Sequence, residues 1–140
     1  MGAPNLGSKV RYALLAAMDL AAHYDPDTPV KVEEIAGRTG APAKYLAQIL
    51  LLLKAQALVR SRQGPGGGYI LMRRPELISA AEVWEAAAAA DVSGEWIADS
   101  PYGAALHWLA AEVAEGERRF LASVSLADLV QRMSSGTASR

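Results

Sequence analysis

Residues 58–72 read LVRSRQGPGGGYILM, and they carry the most distinctive pattern in the chain. From Leu58 to Arg62 apolar and polar side chains alternate, which is typical of a half-buried β-strand. The glycine-rich residues 64–68 indicate a flexible turn, and residues 69–72 are typical of a returning strand. The segment therefore predicts a β-hairpin.

Three helices are predicted before the hairpin. Ser8 is a favourable N-cap, and apolar residues recur after it at helical spacing as far as a proline-containing loop at residues 25–29. A second, short helix spans residues 32–39 and stops at Gly40, and a third covers about residues 43–56. A short helix, a tight turn and a longer helix form a helix-turn-helix. With the hairpin, they predict a winged helix, a mainly α fold with a small β-hairpin wing, in residues 1–90.

A long helix is predicted in the second half of the chain. Ser79 and Glu82 form a capping box that opens a fourth helix through Ala90, whereas residues 91–100 show no period. Pro101 suits the first turn of a fifth helix, on which apolar residues recur at spacings of three and seven, as in packed helix pairs. We expect a dimer interface at Leu106, Leu109, Val113, Gly116 and Phe120.

The C-terminal residues predict one more short helix, from Ser125 to about Met133. The small and polar residues that follow indicate a disordered tail. We therefore divide the chain into a winged-helix DNA-binding domain at 1–90, a loop with dimerisation helices at 91–133, and a disordered tail at 134–140.

Charge is distributed unevenly along the chain. Ten basic and five acidic residues give residues 1–75 a charge of +5, and four basic and ten acidic residues give residues 76–140 a charge of −6, which together make the net −1. A basic half joined to an acidic half suggests a part that binds a polyanion and a part with another role, although chance is an equal alternative on this evidence alone.

Several classes of function find no support in the sequence. The chain has no cysteine, which excludes disulfides and thiolate-bound metals, and its two histidines are too few for a histidine metal site. The longest run of large apolar residues, Ile49 to Leu53, falls far short of the ~20 needed to span a membrane. No nucleophile–base pair and no nucleotide-binding loop motif occur, so we expect neither an enzyme nor a bound cofactor. We interpret residues 9–22, which Asp19 interrupts, as a folded amphipathic helix of a cytoplasmic protein.

Four segments together resemble one protein family. They are the wing at residues 60–69, KVRYAL at residues 9–14, YLAQIL at residues 45–50 and ISAAEV at residues 78–83. In these motifs the chain resembles the Rrf-type winged-helix transcription regulators, a family that includes the iron–sulfur cluster regulator, the nitrite-sensitive repressors and the cysteine-metabolism repressor. The resemblance covers about residues 8–130.

The resemblance implies a homodimeric transcription regulator, expected to be a repressor, that binds a roughly palindromic operator in double-stranded DNA. Cluster-binding members hold iron with three cysteines in the loop before the long helix. The corresponding loop here, about residues 91–104, has none, so we expect a member without an iron–sulfur cluster.

Nine residues are candidates for DNA contact. On the third helix Lys44, Tyr45 and Gln48 lie off the apolar face, and glutamine can read adenine in the major groove while lysine reaches guanine or phosphate. Two basic residues at the start of the first helix suit phosphates, and arginines on a glycine hairpin suit the minor groove. The full set is Lys9, Arg11, Lys44, Tyr45, Gln48, Arg60, Arg62, Gly66 and Gly67.

A candidate sensing pocket and a rival function remain open. Trp96, Tyr102, His107 and Trp108 suit either a pocket for a small-molecule effector or a satellite core, and the satellite core is the favoured alternative. Gln63 stands where many relatives carry arginine before the wing glycines, and Leu51 and Leu52 stand where polar residues are common. These departures leave room for a protein-interaction module whose acidic half binds a partner protein, with modified or lost DNA binding.

Overall fold

The computed structural model describes residues 7–88 and 101–138. The α-helices are α1 (Ser8–Ala22), α2 (Val32–Thr39), α3 (Ala43–Ala55), α4 (Ala80–Ala88), α5 (Pro101–Ala122) and α6 (Leu126–Ala138). Two strands, β1 (Val59–Arg62) and β2 (Gly68–Leu71), form an antiparallel hairpin, and Pro75–Leu77 makes one 3₁₀ turn. This is the predicted mainly α winged helix, and its fold class is confirmed.

The hairpin is extended by a segment from the loop between α1 and α2. Within it Val59 pairs with Leu71 and Arg62 with Gly68. Val30 and Tyr69 exchange two backbone hydrogen bonds, of 2.9 Å and 2.8 Å, so Val30 occupies the place of a third strand. Gly68 lies against the Val30 backbone so closely that any Cβ would overlap the Val30 carbonyl oxygen. The wing is thereby fixed to the body of the domain.

Helix α1 lies at the centre of the core. Its small residues Ala13, Ala16 and Ala17 are at most 1% exposed, which lets neighbouring helices approach closely. Around them pack apolar side chains from α3, α4 and α6, including Leu46, Ile49, Leu50, Leu53, Val83, Ala87 and Leu126. A continuous core therefore fixes how α3 is presented.

Two of the three capping residues predicted from the sequence cap their helices in the structure. Gly40 ends α2 with φ of 80°, and the capping box of α4 is formed by Ser79 N donating to Glu82 Oε2 (2.9 Å) and Glu82 N donating to Ser79 Oγ (3.2 Å). The predicted N-cap at Ser8 is wrong: Ser8 is already helical, and Gly7 is the cap residue, whose carbonyl accepts the Arg11 N–H at 2.9 Å.

Helix α6 packs directly against the winged helix. Leu126 is fully buried in the core, its N–H donates to the Ile78 carbonyl (2.9 Å), and Ala80 N–H donates to the Val124 carbonyl (2.7 Å). This short backbone pairing attaches the segment after α5 to the segment before α4. The predicted grouping of residues 91–133 therefore separates elements that pack together.

The predicted disordered tail from residue 134 is wrong for residues 134–138, which continue α6 to Ala138. Adding residues to an existing helix costs far less than nucleating one, and the Ser135 hydroxyl donates back to the Gln131 carbonyl at 3.1 Å. None of the described helices is long and apolar enough to cross a membrane.

Candidate nucleic-acid interface

Helix α3 presents a stripe of exposed residues directly opposite its buried face. Leu46, Ile49, Leu50 and Leu53 are at most 2% exposed and lie on the core side. At 100° per residue, the side opposite them carries four exposed residues, which we call the α3 stripe. They are Lys44, Gln48, Leu51 and Ala55. The stripe contains two of the three candidate DNA contacts predicted on this helix.

The start of α1 flanks the stripe on one side. The rings of Tyr12 and Tyr45 lie 5.0 Å apart between centroids, tilted by 57°, so α1 and α3 meet at their first turns. The Arg11 guanidinium carbon sits 5.4 Å from the centre of the Tyr12 ring, a cation–π distance. Lys9 is half-buried and lies within the same first turn of α1. The predicted phosphate contacts, Lys9 and Arg11, thus lie in the first turn of α1, with Arg11 over the ring that contacts Tyr45.

The wing flanks the stripe on the other side. Lys54, near the end of α3, donates to the Ser61 hydroxyl at 2.8 Å and so links the helix to β1. Arg60 and Arg62 are exposed on one face of β1, as their spacing predicted. Helix α3 therefore adjoins the start of α1 on one side and the Ser61 side of the wing on the other. Arg60 and Arg62 alternate with Ser61 along β1 and lie on its opposite face.

Both wing arginines also bind within the protein, which the sequence did not reveal. Arg60 Nη2 donates to the Pro26 carbonyl at 2.9 Å, and Arg62 Nη1 donates to the Asp27 carbonyl at 3.3 Å. A guanidinium has five N–H donors, so one such bond leaves others for a phosphate or a base edge. The two arginines fasten the wing to the loop between α1 and α2.

The two wing glycines that were predicted to contact DNA have different surroundings. Gly66 is exposed with φ of 76° and has open space where a Cβ would stand. Gly67 is buried: its N–H donates to the Gly64 carbonyl at 2.9 Å, and a Cβ would overlap the Arg62 carbonyl oxygen. Gly66 is therefore available at the tip, whereas Gly67 is required by the turn itself.

Two ion pairs that position these elements were not predicted. Arg38 on α2 binds Asp19 on α1, and this hydrogen bond to the carboxylate raises the pKa of Arg38 above its ordinary value. Arg73, which follows the wing, binds Glu82 on α4. Burial acts to raise the pKa of Glu82, but the hydrogen bonds from Ser79 and Arg73 outweigh it and lower the pKa below its ordinary value. For the first pair, the signal in the sequence was Asp19 within the apolar residues 12–22.

Helix α5 exposes the residues predicted for a dimer interface. Leu109, Val113 and Phe120 are 52%, 54% and 67% exposed, and nothing lies within 4 Å of a Cβ built on Gly116. The structure describes no side-chain surroundings for Leu106. The single chain thus leaves an apolar seam uncovered along a helix of 22 residues.

The candidate sensing pocket is only partly described. Trp96 lies outside the described residues, and so does the side chain of His107. Tyr102 and Trp108 are 83% and 65% exposed, so these two rings do not pack into a core within the described residues. A groove of about 840 Å³ lies elsewhere, between α1, α5 and α6, with Leu14, Phe120 and Arg132 among its lining residues.

The sequence is similar to known transcription regulators over most of its length. The profile of one family, described as Rrf2, an iron-dependent transcriptional regulator, matches residues 6–132. An Azotobacter vinelandii protein described as an HTH-type transcriptional regulator, ORF2, is 38% identical over 131 residues, which cover 91% of this chain and 79% of the relative. The HTH-type transcriptional regulator IscR of Xenorhabdus nematophila is 36% identical over 130 residues, or 90% of this chain and 79% of the relative.

Solved structures of similar proteins share the fold. The IscR of T. potens superposes with a TM-score of 0.73 at 28% identity, covering 93% of this chain and 88% of that one. CymR, the global cysteine regulator of B. subtilis, superposes with a TM-score of 0.70 at 26% identity, covering 93% and 98%.

The chain offers no thiolate ligand for the iron that the family description names. The sequence contains no cysteine to supply thiolate ligands. Among residues 7–88 and 101–138, no three His, Cys, Asp or Glu side chains come together as a metal site would require.

Proposed function

The chain belongs to the Rrf2 family of transcriptional regulators, which are not enzymes, and from that premise we propose that it acts as a homodimer on a roughly palindromic operator, as a repressor in the cytoplasm. The observation that carries the proposal is the α3 stripe, which presents Lys44 and Gln48 opposite the core between α1 and the wing. An α-helix with such a face fits the width of the DNA major groove. The flanking basic residues suit the phosphates on either side.

The exposed apolar seam along α5 supports the proposal of a homodimer. Leu109, Val113 and Phe120 are large apolar residues left in water by a single chain, and covering them against a second copy contributes about 25 cal/mol for each Å² of apolar surface removed from water. Two-fold symmetry would place two α3 helices about one DNA turn, or a multiple of it, apart. A palindromic operator follows from that symmetry.

We further propose that this regulator works without an iron–sulfur cluster. The absence of cysteine supports this, because cluster iron is normally held by thiolates. The purified protein should therefore be colourless and keep its DNA affinity in air and after chelator treatment. A visible absorption band linked to iron, lost together with DNA binding, would contradict this part of the proposal.

Selection from random double-stranded oligonucleotides tests sequence-specific DNA binding directly. A salt concentration of about 0.15 M is suitable because it weakens non-specific binding. We expect enrichment of a motif with two-fold symmetry. Recovery of no motif by a folded protein would contradict the proposal and favour the alternative, a module whose acidic half binds a partner protein. For Trp96, Tyr102, His107 and Trp108, a pocket for an effector stays the alternative to the favoured satellite core.

A further inference from the structure

Leu51 lies in the middle of the α3 stripe and is a large apolar side chain outside the buried core. It is 59% exposed, whereas its neighbours Leu50 and Leu53 are at most 1% exposed. It follows Gln48 by three positions and Lys44 by seven, so the three side chains lie in one row along the helix. The row runs between Tyr45, which contacts α1, and Lys54, which contacts the wing.

A DNA duplex seated on the α3 stripe would have to meet Leu51. The groups on base edges in the major groove are hydrogen-bond donors and acceptors, except at C5 of the pyrimidines, where cytosine carries only a hydrogen and thymine carries an apolar methyl group that projects into the groove. A leucine facing any of the polar groups would desolvate them without replacing their hydrogen bonds, at a cost in affinity. A leucine facing the thymine methyl removes apolar surface of both partners from water.

We propose that Leu51 determines specificity by contacting the C5-methyl of a thymine, beside the base that Gln48 contacts. This inference rests on the proposed function. Side chains three positions apart on a helix are about 5–6 Å apart at Cβ, and successive base pairs rise by about 3.4 Å. Gln48 and Leu51 therefore reach neighbouring base pairs, and a glutamine that pairs with adenine next to a thymine methyl selects a half-site containing A·T pairs.

Replacement of single thymines by deoxyuridine tests the contact, because it removes the methyl and leaves base pairing intact. The probe is the duplex recovered from the random selection, with one thymine changed at a time. For the wild-type protein, we expect one position in each half-site at which the change weakens binding about fourfold, the equivalent of roughly 0.8 kcal/mol for one buried methyl-sized group. Leu51→Ala should bind the thymine and uracil duplexes equally at that position.

Leu77→Ala is the matched control, since Leu77 is also 59% exposed but lies in the 3₁₀ turn away from α3. It should keep the wild-type loss at the sensitive thymine. The inference is overturned if no uracil substitution weakens the wild-type protein, if Leu51→Ala keeps the same loss, or if the selected half-site has no A·T pair. Recovery of no duplex at all would instead contradict the proposed function, and the inference with it.

Discussion

Arg38 donates two parallel hydrogen bonds to the Asp19 carboxylate, from Nε to Oδ1 at 2.9 Å and from Nη2 to Oδ2 at 3.0 Å. Asp19 is 6% exposed and Arg38 is 38% exposed, so the carboxylate depends on this partner more than the guanidinium does. The pair joins α1 to α2, the first helix of the helix-turn-helix. It therefore helps to hold the part of the fold from which α3 extends.

Removing either partner should destabilise the protein, but by unequal amounts. Arg38→Met leaves the buried Asp19 carboxylate with only the His23 ring beside it, at 3.7 Å, and should cost about 3 kcal/mol of unfolding free energy. Asp19→Asn leaves an arginine that can turn to water and should cost about 1–2 kcal/mol. Urea unfolding at neutral pH measures both values.

Arg74→Met is the control for that comparison, since Arg74 pairs with Glu76 at 3.4 Å with both side chains more than half exposed. It should cost less than about 1 kcal/mol. Equal losses of unfolding free energy for Arg38→Met and Arg74→Met would show that the buried pair stabilises the fold no more than an exposed pair does.

A second prediction concerns the wing turn. Gly67→Ala should distort the turn, because the new Cβ would stand 2.8 Å from the Gly64 carbonyl oxygen and still closer to that of Arg62. We expect DNA affinity to fall about tenfold, or 1.4 kcal/mol, while the helical circular dichroism stays unchanged. Gly66→Ala, which has open space but a positive φ, should lose less. If Gly67→Ala binds DNA with the same affinity as the wild-type protein, the wing does not contact DNA.

A third prediction separates helix stability from dimerisation on α5. Alanine is a better helix former than glycine by about 1 kcal/mol, and nothing within the chain opposes a Cβ at Gly116. If two α5 helices approach closely there, Gly116→Ala should weaken the dimer despite the better helix. Sedimentation at several concentrations measures the dissociation constant.

Gly37→Ala is the matched control, because Gly37 is also helical, exposed and free of close neighbours. It should stabilise the fold and leave the dimer unchanged. A dimer that becomes tighter in Gly116→Ala would place the contact elsewhere on the chain.

The fold could be predicted largely because its signals are local. The glycine turn and alternating strand at residues 58–72 specify the hairpin, and Gly40 and the Ser79–Glu82 capping box specify helix ends. The placement of α6 could not be predicted, since it depends on the hydrogen bond from Leu126 to the Ile78 carbonyl, between residues far apart in sequence.

In the candidate site too, the features that depend on local sequence could be predicted, and those that depend on distant residues could not. Helical periodicity was enough to place Lys44 and Gln48 opposite the core, because the buried face of α3 is defined by its own apolar residues. The bonds from Arg60 and Arg62 to the α1–α2 loop span 34 and 35 positions, and no local pattern encodes them. Sequence reasoning also treated Leu51 as a departure from the family, whereas its exposure on the α3 stripe supports the proposed contact with a base.

The central claim is that the α3 stripe reads bases while the start of α1 binds the DNA backbone. Its most direct test compares Gln48→Ala with Arg11→Ala on the selected duplex and on a scrambled duplex, over a range of salt concentrations. Gln48→Ala should lose about tenfold or more on the selected duplex only, since a bidentate base contact contributes about 1–3 kcal/mol of discrimination. Arg11→Ala should weaken both duplexes alike and lower the salt slope by about one. Equal losses on both duplexes for both variants would contradict the account.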